Sequence, residues 1–330
     1  MKKITFAGNL IVDSVKKMEI YPSLGMLSKI ESENFCVGGV CNVSIDLKIL
    51  DPKLKIEVLG RIGKDDKGRF VVDKFKSLNI DTKKIIIDEK TLTSYTDVMT
   101  DKNGARTFFQ YGGANDNFSP KDVDVENLDT DIFHLDYLLL LPLFDQEDDE
   151  YGTKAARLFG KLQEKGIKTS FDVVSDSGDR YQKIVIPSLK YTNYVTINEV
   201  EISKITNFKV RDDKGKIIIE NIKRAIERLF EFGVKDVVTI HCPEVAVMKK
   251  KDCGFTVVPS FSIQKEMIVS SVGAGDAFLS GVLYGLINNL SDEETLKIAH
   301  ACAANNLFAI DSISGAKPIE YIRQYVEEKS

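Results

Sequence analysis

Only three histidines occur in the chain, at positions 134, 241 and 300, and they stand far apart. The absence of ligand spacing argues against their binding a metal. The five cysteines (36, 41, 242, 253 and 302) include no CxxC pair and are odd in number. That argues against a disulfide framework and a zinc site, and it sets a reducing, cytoplasmic location as the expectation. A basic excess is missing too: the formal charge is −5, which argues against nucleic acid as a partner. No apolar run is long enough to cross a bilayer; the longest is YLLLLPLF (137–144). The opening MKKITFAGNLIVDS is interrupted by Gly8, Asn9 and Asp13, and no small-residue cleavage site follows it. It reads as a first strand, not a leader. Internal repeats and low-complexity segments are also lacking. Neither common phosphate-binding fingerprint is present. GxxxxGK[ST] does not occur, and the first strand ends in GNLIVD instead of GxGxxG. GAGDAF lies near the other end of the chain and has Phe278 where Gly or Ala is required, so an NAD enzyme is a poor fit.

What is present can bury a large core. Of 330 residues, 43% are hydrophobic and 29% charged. Length alone allows two domains or one large α/β domain. ITFAG (4–8) and KIEVLG (55–60) read as strands, and VCNVSIDLKIL (40–50) and DKGRFVVDKFKSLNI (66–80) as helices. From 90 to 118, Thr, Tyr, Val and Phe alternate with polar residues, as in a hairpin turning at Asn103-Gly104. Residues 15–36 hold weaker strand-like pieces around Pro22 and Gly25. From residue 130 onward strands and helices alternate: DIFHLDYLLLL, a helix ending at Gly166, IKTSFDVV, NYVTI, a helix ending at Gly233, then KDVVTI, VAVMK and FTVVP. This predicts a single α/β domain over 1–330, with a mostly parallel central sheet and helices on both faces. The early segments, about 14–36 and 92–112, predict a small separate β-sheet acting as a lid.

The stretch SSVGAGDAF (270–278) stands just before the apolar run FLSGVLYGLI. Gly273 and Gly275 flank Ala274, and bare backbone there lets an anion approach the free N–H groups of a helix start. Asp276 follows at once. In a first turn a carboxylate is often only a partner for the helix dipole. Beside an anion site it is electrostatically awkward, unless it accepts a proton from an attacking hydroxyl. The charge developing on a transferring phosphoryl group would then be met by the neighbouring N–H groups.

At these residues the chain resembles the ribokinase-like (PfkB) family of carbohydrate and nucleoside kinases, along nearly its whole length. The motifs fall in family order: Gly8, Asn9 and Asp13 after the first strand; VGGVCNVS with Gly38, Gly39 and Asn42; GRIGKDDKG (60–68); YGGAN (111–115); TINEVE with Asn198 and Glu201; and GAGD (273–276). The resemblance implies that Asp276 is the catalytic base and that the backbone of Gly273, Ala274 and Gly275 forms the anion hole. It implies that Asp13, Gly38, Gly39 and Asn42 hold sugar hydroxyls. Asn198 and Glu201 would influence Mg²⁺ and phosphate, with Glu201 acting on the metal indirectly, and Thr239 would open the nucleotide loop. ATP and Mg²⁺ are the implied cofactors. A sugar and a nucleotide are the implied partners, and family lids often pair two subunits, so a homodimer through the lid is a further expectation.

Plainer readings stand beside these. Asn198 with Glu201 three residues on can be a capping box; Asp13 can be a turn residue; Asn42 can cap a helix. Lys64, Asp65 and Asp66 read as a solvated turn, and Phe108, Phe109 and Tyr111 as packing residues. Three positions depart from the family pattern. Ser270 and Ser271 replace an Asp-Thr pair whose aspartate often helps form a monovalent-cation site, so K⁺ activation is open. The glycine pair stands one residue closer to Asn42 than usual, with Val37 in the first glycine's place. The nucleotide loop, roughly T-x-G-x-x-G in the family, reads TIHCPEVAV, with His241 at a glycine position. The expected activity is ATP-dependent phosphorylation of a monosaccharide. A nucleoside kinase is the nearest rival, and a non-catalytic sugar or nucleotide binder is the rival from another class. A phosphosugar would want a basic cluster in the lid, where only Arg106 stands out.

Overall fold

The computed structural model describes residues 2–174, 178 and 180–329. Its strands are β1 Lys3–Gly8, β2 Leu10–Met18, β3 Ile30–Gly39, β4 Lys55–Gly63, β5 Asp81–Asp88, β6 Ser94–Thr100, β7 Arg106–Tyr111, β8 Ile132–Leu138, β9 Glu147–Asp148, β10 Gly152–Thr153, β11 Lys168–Val173, β12 Tyr194–Asn198, β13 Val237–His241, β14 Val245–Lys250 and β15 Phe255–Pro259. The helices are α1 Val40–Leu50, α2 Asp66–Ser77, α3 Lys154–Glu164, α4 Tyr181–Leu189, α5 Glu199–Thr206, α6 Ile219–Glu231, α7 Ala274–Asn288, α8 Asp292–Asn306 and α9 Ile319–Lys329.

Nine strands form the central sheet in the order β15-β14-β13-β12-β11-β8-β1-β4-β5. β1 lies inside it, parallel to both neighbours, with Phe6 opposite Val58 on one side and His134 on the other. Alternation along β1 feeds two cores. Ile4 and Phe6 face a layer made with α1, α7 and α8. Ala7 faces a second layer that takes in Phe159 of α3, Tyr181 of α4 and Ile226 of α6. Covering both faces explains the near-continuous apolar runs of these strands. The sheet is mixed, not wholly parallel, because β14 and β15 run antiparallel to their neighbours. No helix among the described residues is long and apolar enough to cross a membrane.

A second, four-stranded sheet has the order β3-β2-β6-β7. It begins at Leu10 and runs to Gly39, further in both directions than the strand-like segment read from the sequence. The β6–β7 connection spans Asp101 to Ala105 instead of a two-residue turn. The Asp101 carboxylate accepts the N–H groups of Asn103 and Ala105 and organises the longer loop. Asn115 pins this sheet to the core: its side chain accepts the Leu10 N–H and donates to the Leu10 carbonyl, at the point where β1 hands over to β2. Asp65 is no solvated turn residue. It caps α2 through the Gly68 N–H at 2.8 Å and also accepts the Thr93 hydroxyl at 2.6 Å, just before β6. Phe108, Phe109 and Tyr111 do not pack into a core but stand exposed on β7, because both faces of this edge strand look outward.

Candidate active site

The carboxyl ends of β8, β11, β12 and β13 converge on the start of α7. Gly273 caps that helix at φ 77°, a left-handed conformation. It offers no side chain to the first turn; the Ala274 N–H turns back to the Ser271 carbonyl at 3.4 Å, and no side chain caps the N–H groups that follow. Asp276 lies in this turn. Its Oδ1 accepts the Tyr137 hydroxyl at 2.9 Å, and its Oδ2 accepts Nδ2 of Asn42 at 2.8 Å. Asn42 is held in turn, because its Oδ1 accepts the Ser312 hydroxyl at 2.8 Å. Three chain segments thus aim one carboxylate. Burial pushes its pKa up, and the bonds from Asn42 and Tyr137 pull it back.

Asp276 faces a cavity of about 260 Å³, lined also by Tyr137, Asp172, Asn198, Glu201 and Gly275. Three carboxylates line it, and no lysine or arginine does so among the described residues. Behind it Asp136 is fully buried, and neither of its oxygens has a hydrogen-bond partner. Burial holds Asp136 and Asp172 well above the usual carboxylate range; repulsion from Asp172 and Asp276 adds to the rise at Asp136, and repulsion from Glu201 and Asp276 adds to it at Asp172. Asn198 and Glu201 do form a capping box on α5: the Asn198 side chain accepts the Glu201 N–H, and Glu201 accepts the Asn198 N–H. Among the described residues no group of three His, Cys, Asp or Glu could hold a metal ion by itself. This donor set fits Mg²⁺ of the kind that keeps most of its waters and is held by phosphates with one or two carboxylates.

A second cavity, of about 530 Å³, adjoins the first. Pro243, Phe261, Ile263, Phe278, Ala304 and Leu307 make it mainly apolar.

Asp13, Gly38 and Gly39 sit on the lid side and line neither cavity. Asp13 is a strand residue of β2, paired with Cys36 and Thr96, and not a turn residue. Its carboxyl lies across Gly38, where a Cβ would stand 2.6 Å from Oδ2. Burial raises Asp13 to about 6, against a hydrogen bond from Thr96, and the charge of Asp276 adds to the rise. Asn42 caps nothing; it lies inside α1, and Gly39 is the cap. Thr239 is fully buried in the middle of β13, opposite Thr196, and lines neither cavity. Ser270 is engaged by the lid: its Oγ accepts Arg106 Nη2 at 3.1 Å and the Val272 N–H at 3.2 Å. Tyr137, Asp172 and Ser312 escaped the sequence reading. Tyr137 and Asp172 sit at strand carboxyl ends, a signal that could have found them. Ser312 carries none.

A family model described as pfkB family carbohydrate kinase matches residues 1–317. The chain is 25% identical over 299 residues to a bifunctional ribokinase/ribose-5-phosphate isomerase A of Fructilactobacillus sanfranciscensis. That match covers 88% of this chain and 50% of the other, so the chain spans half the length of this relative. A ribokinase structure from Thermotoga maritima superposes with a TM-score of 0.81 at 21% identity, over 99% of this chain and 100% of that one. A nucleoside kinase from Methanocaldococcus jannaschii, an archaeal member of the ribokinase family, gives 0.75 at 21% identity, over 99% of each chain. The fold is therefore ribokinase-like, and with the match running through residues 1–317 the chain belongs to the PfkB family of carbohydrate kinases.

Proposed function

We propose that the protein transfers the γ-phosphate of ATP to a hydroxyl of a monosaccharide, with Asp276 as general base and the Gly273–Gly275 backbone as anion hole. The observation that carries this is the aimed carboxylate of Asp276 in the open first turn of α7. A pure binder has no use for a base beside an anion hole. The apolar cavity suits a nucleobase, and Asp13 and the glycine pair suit the hydroxyls of a sugar. Mg²⁺ supplies charge neutralisation when bound, which a cavity with three carboxylates and no lysine or arginine requires. Glu201 and Asn198 would act on it indirectly, beside the phosphates. Asn42 and Tyr137 orient Asp276, and burial makes it more basic. The hydroxyl proton passes to Asp276, and the α7 N–H groups receive the charge of the transferring group.

The test is nucleotide consumption across panels of sugars and nucleosides, with Mg²⁺ and with excess EDTA. Turnover confined to nucleosides would move the assignment to the rival kinase, and ligand binding without turnover would make the chain a binder. Undiminished turnover in EDTA would remove the metal. A phosphosugar substrate is disfavoured, because Arg106 already bonds Ser270. For the same reason we expect turnover to change little between Na⁺ and K⁺ buffers: the Ser270 oxygen has two donors and carries no charge.

The four-stranded sheet supports a lid. We expect amides of β2, β3, β6 and β7 to gain protection from hydrogen exchange when sugar binds, as closure excludes water from the phosphate. Protection confined to residues near 273–276 would refute it. Phe35, Phe108 and Phe109 stand at least half exposed on this sheet and support a homodimer through the lid. Light-scattering measurement of the molar mass in solution, repeated on Phe108→Ser, tests that pairing.

Gly275→Ala separates stability from activity. A Cβ there meets nothing nearer than His241 Cε1 at 3.7 Å, so the fold accepts it. The change stabilises α7 by roughly 0.5 kcal/mol, and the unfolding temperature should rise. The methyl stands where the phosphates must pass, so kcat/KM for nucleotide should fall about ten-fold or more.

A further inference from the structure

Three residues line both cavities: Asn198, His241 and Gly275. On the kinase reading, a nucleotide with its base in the apolar cavity and its γ-phosphate before Asp276 threads between them. His241 ends β13, in register with Asn198 at the end of β12. Its ring stacks on Phe278 of α7, with centroids 4.8 Å apart and planes at 27°. Phe278 is backed edge-on by His300 at 5.3 Å, and His300 is fixed by the Val258 carbonyl at 3.1 Å. The imidazole is therefore held across the neck from Gly275 and not free to swing. His134 and His300 each have a hydrogen-bond partner, in Ser170 and Val258. No described residue bonds the ring nitrogens of His241. No lysine or arginine lines either cavity among the described residues, so few side chains there can donate to a phosphate.

We propose that His241 is a nucleotide-contacting residue, whose imidazole N–H donates a hydrogen bond to the polyphosphate at the neck between the two cavities. A glycine at this position, as in the family pattern, supplies no such donor. Burial and the neighbouring His300 hold the ring near a pKa of about 4 in the ligand-free protein, so it is neutral there and one ring nitrogen carries a proton to donate. The contact is to phosphate, so its contribution is the same whichever base the nucleotide carries.

The experiment measures calorimetric affinity for Mg²⁺ complexes of non-hydrolysable ATP and GTP analogues, on the wild type, His241→Phe and His241→Gln. Phe keeps the stack on Phe278 and loses the N–H; Gln keeps a donor. A hydrogen bond to a charged oxygen implies that His241→Phe weakens both analogues by about ten-fold or more and by a common factor. His241→Gln should retain most of the affinity, and the sugar KM should not move in either variant. The ¹⁵N ring signals of His241 should shift when the ATP analogue is added without sugar. Thermal unfolding of each variant checks that the fold is intact. Wild-type affinity in His241→Phe, or tighter binding, overturns the contact and leaves the kinase reading standing. A wild-type protein that neither binds the analogues nor turns over any acceptor overturns the kinase reading itself, and the contact with it.

Discussion

Asp276→Asn should leave a folded protein whose kcat is lower by about 10²–10⁴, the usual worth of general-base catalysis. The amide is isosteric. Its oxygen can still take the N–H of Asn42, and its NH₂ can face the Tyr137 hydroxyl, which accepts as readily as it donates. What disappears is a site for the proton of the attacking hydroxyl. Sugar affinity should change far less than kcat, because on this reading Asp13, the glycine pair and Asn42 carry most of the sugar binding. Nucleotide affinity should hold or rise, since one negative charge leaves a cavity that has three carboxylates. Turnover and calorimetric affinity on the same preparation decide the matter. Near-full turnover would reduce Asp276 to a dipole partner of α7. Lost sugar binding with intact chemistry would make it a substrate ligand.

Gly273→Ala should be as damaging for a different reason. The left-handed backbone at φ 77° costs a non-glycine residue about 1–2 kcal/mol. Collision adds to that: a Cβ there would lie 2.5 Å from the Ser312 Cβ and 2.6 Å from its Cα. Ser312 has little room to yield, because its hydroxyl holds Asn42, and Asn42 holds Asp276. Either the first turn of α7 shifts or that chain of bonds breaks. Both move the N–H groups away from the transferring phosphate, and kcat should fall by about 10²–10³. Gly166→Ala is the control. It is also left-handed, at φ 78°, but a Cβ there meets nothing within 4 Å. It should lower the unfolding temperature and leave kcat alone. Equal kcat losses in the two variants would assign the effect to backbone strain and not to the anion hole.

Much of the scaffold is legible in the sequence because periodicity is local. VCNVSIDLKIL reads as a helix and forms α1 residue for residue. ITFAG reads as a strand and becomes β1. Direction is not local, so VAVMK and FTVVP read as strands while their antiparallel pairing stays hidden. DTKKIIID, the edge strand β5, carries two lysines and an aspartate at each end and gives a weak strand signal. Within the site, Asp276 and its glycines stand in one short motif and can be read. The partners that aim Asp276 cannot. Asn42 lies 234 residues away and Tyr137 139, the latter inside a run that reads only as apolar strand. The cap at Asn198 was legible because capping is decided within four residues. The strand position of Asp13 was not, since it depends on pairing with Thr96.

The order in which the sheet is laid down bears on how the protein emerges during synthesis. From β1 the chain adds β4 and β5 on one flank, then β8, β11, β12, β13, β14 and β15 in succession on the other. Each new strand after β8 therefore docks on an edge already made, and the sheet can grow as the chain lengthens. The layer on one face cannot. Phe6, Ile45 and Leu47 share their core with Leu279 and Leu283 of α7, which follow only after the whole sheet has been translated. Until then a broad apolar face stays open on a nearly finished sheet, and such a surface is aggregation-prone. At the usual 5–20 residues per second, the 234 residues between Asn42 and Asp276 keep it open for roughly 10–50 s. The nascent chain would thus be a client for holding chaperones over that interval, and the last helices to arrive bury the core and complete the candidate site in one event.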